Sequence, residues 1–145
     1  MSAALAILLP TDDSPPARAA AEHVADLARR GLAVEVHLLS VQSPLPGVAA
    51  ALIPDGERNA WHRDEGMKAL APCEAILAAS AVSTHAHIGV GDPAETIIAF
   101  AERLGCEHIV MGSRGHGLAA GLVLGSVARE VIAGCRLPVT LIRAA

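Results

Sequence analysis

Aromatic side chains are nearly missing: Trp61 and Phe100 are the only two in 145 residues, and there is no tyrosine. Base-stacking platforms for single-stranded nucleic acid and aromatic cradles for sugars are therefore excluded. Lysine is as scarce, with Lys68 alone, and 11 Lys+Arg face 15 Asp+Glu for a formal net charge of -4. No basic face exists that could follow a nucleic-acid backbone. No apolar run approaches the roughly 18 residues that a membrane span requires. Cysteine is limited to Cys73, Cys106 and Cys135, odd in number, widely spaced and without a C-x-x-C pair, which points to a reducing compartment. The opening stretch lacks a basic segment and runs straight into Pro10-Thr11-Asp12-Asp13, so it reads as a strand rather than a signal peptide. The expected location is cytoplasmic.

What is abundant is small and aliphatic. Hydrophobic residues make up 52% of the chain, so the core must be built from Ala, Val, Leu and Ile. Small side chains let helices lie close on a sheet, which suits a layered α/β domain better than a β-sandwich. A chain of this length buries about two thirds of its surface, enough for one domain over residues 1–145 without disulfide or metal.

The element order follows from periodicity and punctuation. Ala3–Leu9 is a short apolar run stopped by Pro10, as expected of a strand buried on both faces. Ser14-Pro15-Pro16 opens a helix to about Arg30, closed by Gly31, with Ala20, Val24, Leu27 and Ala28 on its apolar stripe. Residues 34–41 form strand two. Residues 42–56, with Pro44, Pro46, Gly47 and Pro54, read as one long loop. A helix follows from Asn59 to about Ala81, broken or kinked at Pro72. Residues 84–90 give strand three, Asp92 caps a helix over 94–104, and 107–111 give strand four. Then come a Gly-rich loop over 112–124, a short helix over 125–133 closed by Gly134, and a last strand over 137–143.

Strands alternating with helices predict right-handed crossovers and an open five-stranded parallel sheet with helices on both faces. Ligands in such sheets bind at the carboxyl ends of the strands, where strand order reverses. With order 3-2-1-4-5 that point lies between strands one and four, which singles out the loops at Pro10 and Gly112.

The second of these loops carries two converging features. Glycines at 112, 115 and 117 free consecutive N–H groups to curl around an anion, and Gly125-Ser126 opens a helix whose first N–H groups and positive dipole end favour phosphate. Gly112 and Gly117 have Walker A spacing, but Leu118 stands where that motif needs lysine. The G-x-G-x-x-A matches at Gly115 and Gly89 do not follow the first strand and lack the distant ribose-binding acid.

The spacing of Gly112, Gly115, Gly125 and Ser126, G-2x-G-9x-G-S, resembles that of ATP-binding universal stress proteins. Ile7–Asp12, Gly91–Glu95 and Leu137–Arg143 are similar to the first strand, third turn and last strand of that family. The resemblance implies an adenine-nucleotide alpha-hydrolase-like fold. It implies that Pro10, Thr11, Asp12 and Val41 line adenine and ribose, that Met111, Gly112, Arg114 and Gly115 wrap the sugar and phosphate chain, and that Gly125, Ser126 and Val127 hold the phosphates of ATP, with Mg2+ as companion. Asp13 departs from the Gly or Phe often found at its position.

Other constellations weigh less. A receiver domain would use Asp12 and Asp13 with a later Asp and Lys, yet no lysine follows Lys68. His85 and His87 share one face of strand three at metal-ligand spacing, with no Cys or third His placed to complete a site. His116 stands in the Gly-rich loop within reach of phosphate, or simply solvated. Neither Ser113 nor Ser126 has triad partners, and no paired carboxylates face the loop, so a binding module is expected rather than an enzyme, with slow ATP hydrolysis at most. The alternative is a stress protein that binds no nucleotide and acts only as an interaction dimer. The last strand, with Leu137, Val139, Thr140, Leu141 and Ile142, is an apolar edge suited to homodimer pairing, as the resemblance also implies.

Overall fold

The computed structural model describes residues 3–114 and 124–144, apart from the side chains of residues 49 and 50. The order is β1 (Leu5–Pro10), α1 (Pro15–Arg29), β2 (Val34–Gln42), α2 (Gly47–Leu52), α3 (Asp55–Ala78), β3 (Ser83–Val90), α4 (Pro93–Arg103), β4 (His108–Gly112), α5 (Ser126–Gly134) and β5 (Val139–Ile142). The five strands form one sheet of order β3-β2-β1-β4-β5. Every ladder is parallel, from Leu5 opposite Val34 to Gly112 opposite Ile142.

The sheet divides the core in two. On one face Ile7, Leu9, Val36, Leu38 and Val110 meet Ala20, Ala21 and Val24 of α1 and Leu70, Cys73 and Leu77 of α3. On the other, Leu8, Leu39, Ile109 and Met111 meet Ala94, Ile97 and Ala101 of α4 and Ala128 and Val131 of α5. Successive residues of β1 thus serve opposite faces, which is why its sequence is an unbroken apolar run.

Local chemistry sets the boundaries. The Ser14 hydroxyl accepts from the Ala17 N–H at 3.3 Å and caps α1, with prolines in the first turn where no N–H partner is lost. Gly31 then ends the helix at φ 102°, in the left-handed region where a Cβ would clash. The buried stripe of α1 is Ala17, Ala20, Ala21, Val24 and Ala25, so Leu27 and Ala28 sit at its margin rather than in it.

Two expectations are corrected. The segment 42–56 is not all loop, because Gly47–Leu52 closes a short helix, with Pro46 extended just before it and Ile53 after it. Nor does Pro72 break its helix: α3 runs unbroken from Asp55, four residues earlier than Asn59, to Ala78. Leu70, Cys73 and Leu77 flank the proline and are fully buried, so packing keeps the helix continuous across the lost N–H bond. Among the described residues no helix is long and apolar enough to cross a membrane.

Candidate functional site

The carboxyl ends of β1 and β4 are neighbours, and the chain leaves them in opposite directions, β1 toward α1 and β4 toward α5. Between these departures lies a cleft of about 360 Å³, within the range of small-ligand sites. Pro10, Thr11, Asp12, Val41, Met111, Gly112, Arg114, Gly125, Ser126 and Val127, singled out from the sequence, all line it. Gly115 and His116 lie outside the described residues.

The loop after β1 is held by short-range turns. Thr11 Oγ1 accepts from the Asp13 N–H at 3.1 Å, and Asp12 Oδ1 accepts from the Ser14 N–H at 3.0 Å. Such side-chain-to-backbone bonds replace a missing ladder and make the loop rigid. Thr11 also sits 3.4 Å from Cys73 Sγ, so its hydroxyl is turned into the protein. Burial pushes the thiols of Cys73 and Cys106 up from their ordinary range, and both behave as small apolar residues. Asp13 adopts φ 60°, the conformation glycine takes without strain. Its carboxylate receives both the Nε and Nη2 of Arg18, at 2.7 and 3.1 Å. The hydrogen bond and charge of Asp13 raise the Arg18 pKa, and the extra acid is engaged in the α1 turn.

The other wall ends in a helix start. Ser113 donates its N–H to Ile142 O at 2.8 Å and accepts from the Gly125 N–H at 2.7 Å, so one residue ties β4 to β5 and to the entry of α5. Among the described residues its buried Oγ has no hydrogen-bond partner. In α5 the first intrahelical donor is the Arg129 N–H, to Gly125 O, and no side chain caps the helix. The N–H groups of Ser126, Val127 and Ala128 thus have no partner within the helix and carry its positive dipole end.

Sequence reasoning missed Ala17, Leu39, Pro93, Ile97, Ser113 and Ala128, which also line the cleft. Leu39 and Ile97 come from two elements whose contact the chain order does not announce. Ser113 lay inside the glycine motif, but as a variable position it gave no signal of its own. The cleft is apolar toward Leu39, Val41, Ile97 and Met111 and polar toward Ser113, Arg114 and Ser126, with Asp12 and Arg114 its ionisable lining residues among those described.

A third imidazole, which spacing along β3 could not show, joins His85 and His87. His37 of β2 lies opposite His85, and its Nδ1 is 2.9 Å from His87 Nε2. Among the described residues, no group of three or more His, Cys, Asp or Glu side chains is arranged to hold a metal ion.

Residues 5–143 match the model of the universal stress protein family. A universal stress protein of Methanocaldococcus jannaschii, MJ0531, is 30% identical, covering 94% of this chain and 81% of its own. Among solved structures, hypothetical protein MJ0577 is 29% identical with a TM-score of 0.83, covering 97% of this chain and 96% of its own. The universal stress protein of Archaeoglobus fulgidus in complex with dAMP shares the fold at 24% identity and a TM-score of 0.67, covering 98% and 99%.

Proposed function

This chain belongs to the universal stress protein family, and on that premise we propose that it is an ATP-binding stress-response module of the cytoplasm that acts as a homodimer. The observation that carries the reading is the meeting, in one cleft, of the rigid loop after β1 with the uncapped start of α5. An adenine ring needs apolar walls, which Leu39, Val41, Ile97 and Met111 offer. A phosphate chain needs unspent donors, and the early N–H groups of α5 and the Ser113 hydroxyl, which has no partner among the described residues, meet that need. The dAMP complex of the Archaeoglobus fulgidus protein supports adenine-nucleotide binding on this fold.

Arg114, with Mg2+ carried on the phosphates, would balance their charge. Arg129 points away from this role, since it is exposed one turn into α5 and does not line the cleft. Dimerisation is assigned to β5, whose outer edge has no partner strand in the monomer.

Calorimetry with ATP tests the site. Gly125 has φ -80° and ψ 165°, which valine adopts without strain, so Gly125→Val should keep the fold and block approach of phosphates to the backbone. Ser126→Ala should lose one hydrogen bond to a charged group, about 1.5–3 kcal/mol, or roughly 10- to 150-fold in affinity. Unchanged ATP affinity in Gly125→Val would remove the site. Absence of nucleotide binding in the unmodified protein would favour the interaction-dimer reading instead.

Turnover should be slow. Among the described residues, the ionisable groups lining the cleft are Asp12, whose Oδ1 already accepts from Ser14, and the cationic Arg114, and neither is poised as a general base. The expected steady-state ATPase rate is far below the ~1–1000 per second of ordinary enzymes. Several turnovers per second from pure protein would overturn the binding-module reading.

A further inference from the structure

Below the cleft, on the α4 side of the sheet, three imidazoles and a carboxylate gather on the outer strand pair. The β2–β3 ladder sets His37 opposite His85, and the two-residue repeat puts Glu35 and His87 on the same face. The rings of His37 and His85 stack with centroids 5.0 Å apart, and those of His37 and His87 are 5.1 Å apart. Glu35 Oε1 is 2.9 Å from His85 Nε2 and 3.9 Å from His37 Nε2. From α4, the Phe100 ring lies 6.0 Å from that of His87, with the Arg103 guanidinium stacked on it at 4.3 Å. Cys106, in the turn before β4, and its chain neighbour Glu107 add ionisable groups on the Glu35 side.

A hydrogen bond between two imidazole nitrogens needs one N–H and one lone pair. The 2.9 Å contact between His37 Nδ1 and His87 Nε2 therefore tolerates one proton and not two. If both rings became imidazolium, two N–H groups would face each other beside a third histidine and Arg103. We propose that His37, His85 and His87 form a proton-operated latch that holds the edge strand β3 to β2 when neutral and parts on acidification. The strand it holds lies at an edge of the sheet, since β3 pairs with β2 alone, and edge elements open at low free energy. Leu39 and Val41 lie next along β2, so the loosened strand pair is the one that walls the cleft.

The sign follows from the proton affinities. Burial first, then His85, lowers the pKa of His37 against the opposing pull of Glu35; burial, His37, His85 and Arg103 lower that of His87. Both groups bind protons less well in the native state than in an opened one, so the stability they contribute is complete above a pH of about 6.5 and is lost as pH falls through that value toward their native pKa. At pH 5.5 each released imidazole favours opening by up to about tenfold, and the two together by up to about a hundredfold.

Amide hydrogen exchange at pH 7.5 and 5.5, corrected for intrinsic rates, tests the latch. Opening of the β3 amides should rise at least tenfold at the lower pH while those of β1 stay unchanged. In the His37→Gln/His87→Gln double variant the rise should fall below about threefold. Equal opening at both pH values in the unmodified protein, or the full rise persisting in the variant, would overturn the proposal. Should the variant not fold, NMR titration of the histidine rings in the unmodified protein decides: His37 and His87 titrating below 6.5 supports the latch, and at or above 6.5 excludes it.

Discussion

Gly112→Ala is expected to destabilise the protein by about 2–3 kcal/mol and to weaken nucleotide binding, although it adds one methyl group at the end of a strand. A Cβ at Gly112 would stand 2.7 Å from Pro16 Cβ, 2.8 Å from the Pro16 carbonyl carbon and 3.0 Å from Ala17 N. Two of these are backbone atoms in the first turn of α1, which cannot swing aside like a flexible side chain. The helix itself is pinned, by the Ser14 cap at one end and by the fully buried Ala20, Ala21 and Val24 further along. Relief requires α1 to lift from the sheet. Because Ala17 and the loop after β1 line the cleft opposite Gly112, that movement also changes the site. The expected fall in melting temperature is roughly 5–10 °C. Gly56→Ala is the control: it lies in α3, its Cβ would meet nothing within 4 Å, and it should be neutral or stabilising by up to about 1 kcal/mol. Equal urea midpoints for Gly112→Ala and the unmodified protein would show that α1 gives way freely.

If the proposed dimer pairs through β5, Leu141→Pro is expected to convert it into a monomer without unfolding it. Ile109 N donates to Pro138 O and Ser113 N to Ile142 O, so these carbonyls of β5 face β4. In a parallel ladder the backbone groups alternate in direction, which turns the N–H and C=O of Val139 and Leu141 toward the open edge. A proline at Leu141 removes one outward donor from each protomer and leaves the bonds to β4 intact. Two hydrogen bonds are lost per two-fold pair, about 1–3 kcal/mol, or roughly 5- to 150-fold in the dissociation constant, before the steric effect of the rings. Thr140→Pro should behave differently. Thr140 faces β4, and its Oγ1 is 2.7 Å from His108 Nε2, so that change attacks the fold itself. Sedimentation velocity separates the outcomes, and a Leu141→Pro protein that stays dimeric would place the interface elsewhere.

Much of this architecture was legible because it is written in near neighbours. The apolar run of β1, the Ser14 cap, the closing Gly31, and Asp92, which accepts from the Glu95 N–H at 3.0 Å, are each decided within a few residues. Alternating elements and short connections then leave few topologies open, and order 3-2-1-4-5 is among them. The glycine spacing from 112 to 126 could be read for the same reason, since a loop that leaves a strand and enters a helix start is local along the chain.

Tertiary structure decided what depends on distant segments. Pro72 reads as a break from its missing N–H, yet buried residues on both sides of it keep α3 whole. Asp13 reads only as a departure from the Gly or Phe often found at its position, yet Arg18, five residues on, holds it with two hydrogen bonds. Ser113 is one variable residue in a motif until the fold ties its backbone to Ile142 and Gly125 and buries its hydroxyl, which has no partner among the described residues. His37 and His87 are 50 positions apart, and only the register of the β2–β3 ladder makes them one hydrogen-bonded group. Periodicity along a strand tells which face a side chain takes, whereas the residue it meets there is chosen by the strand alongside.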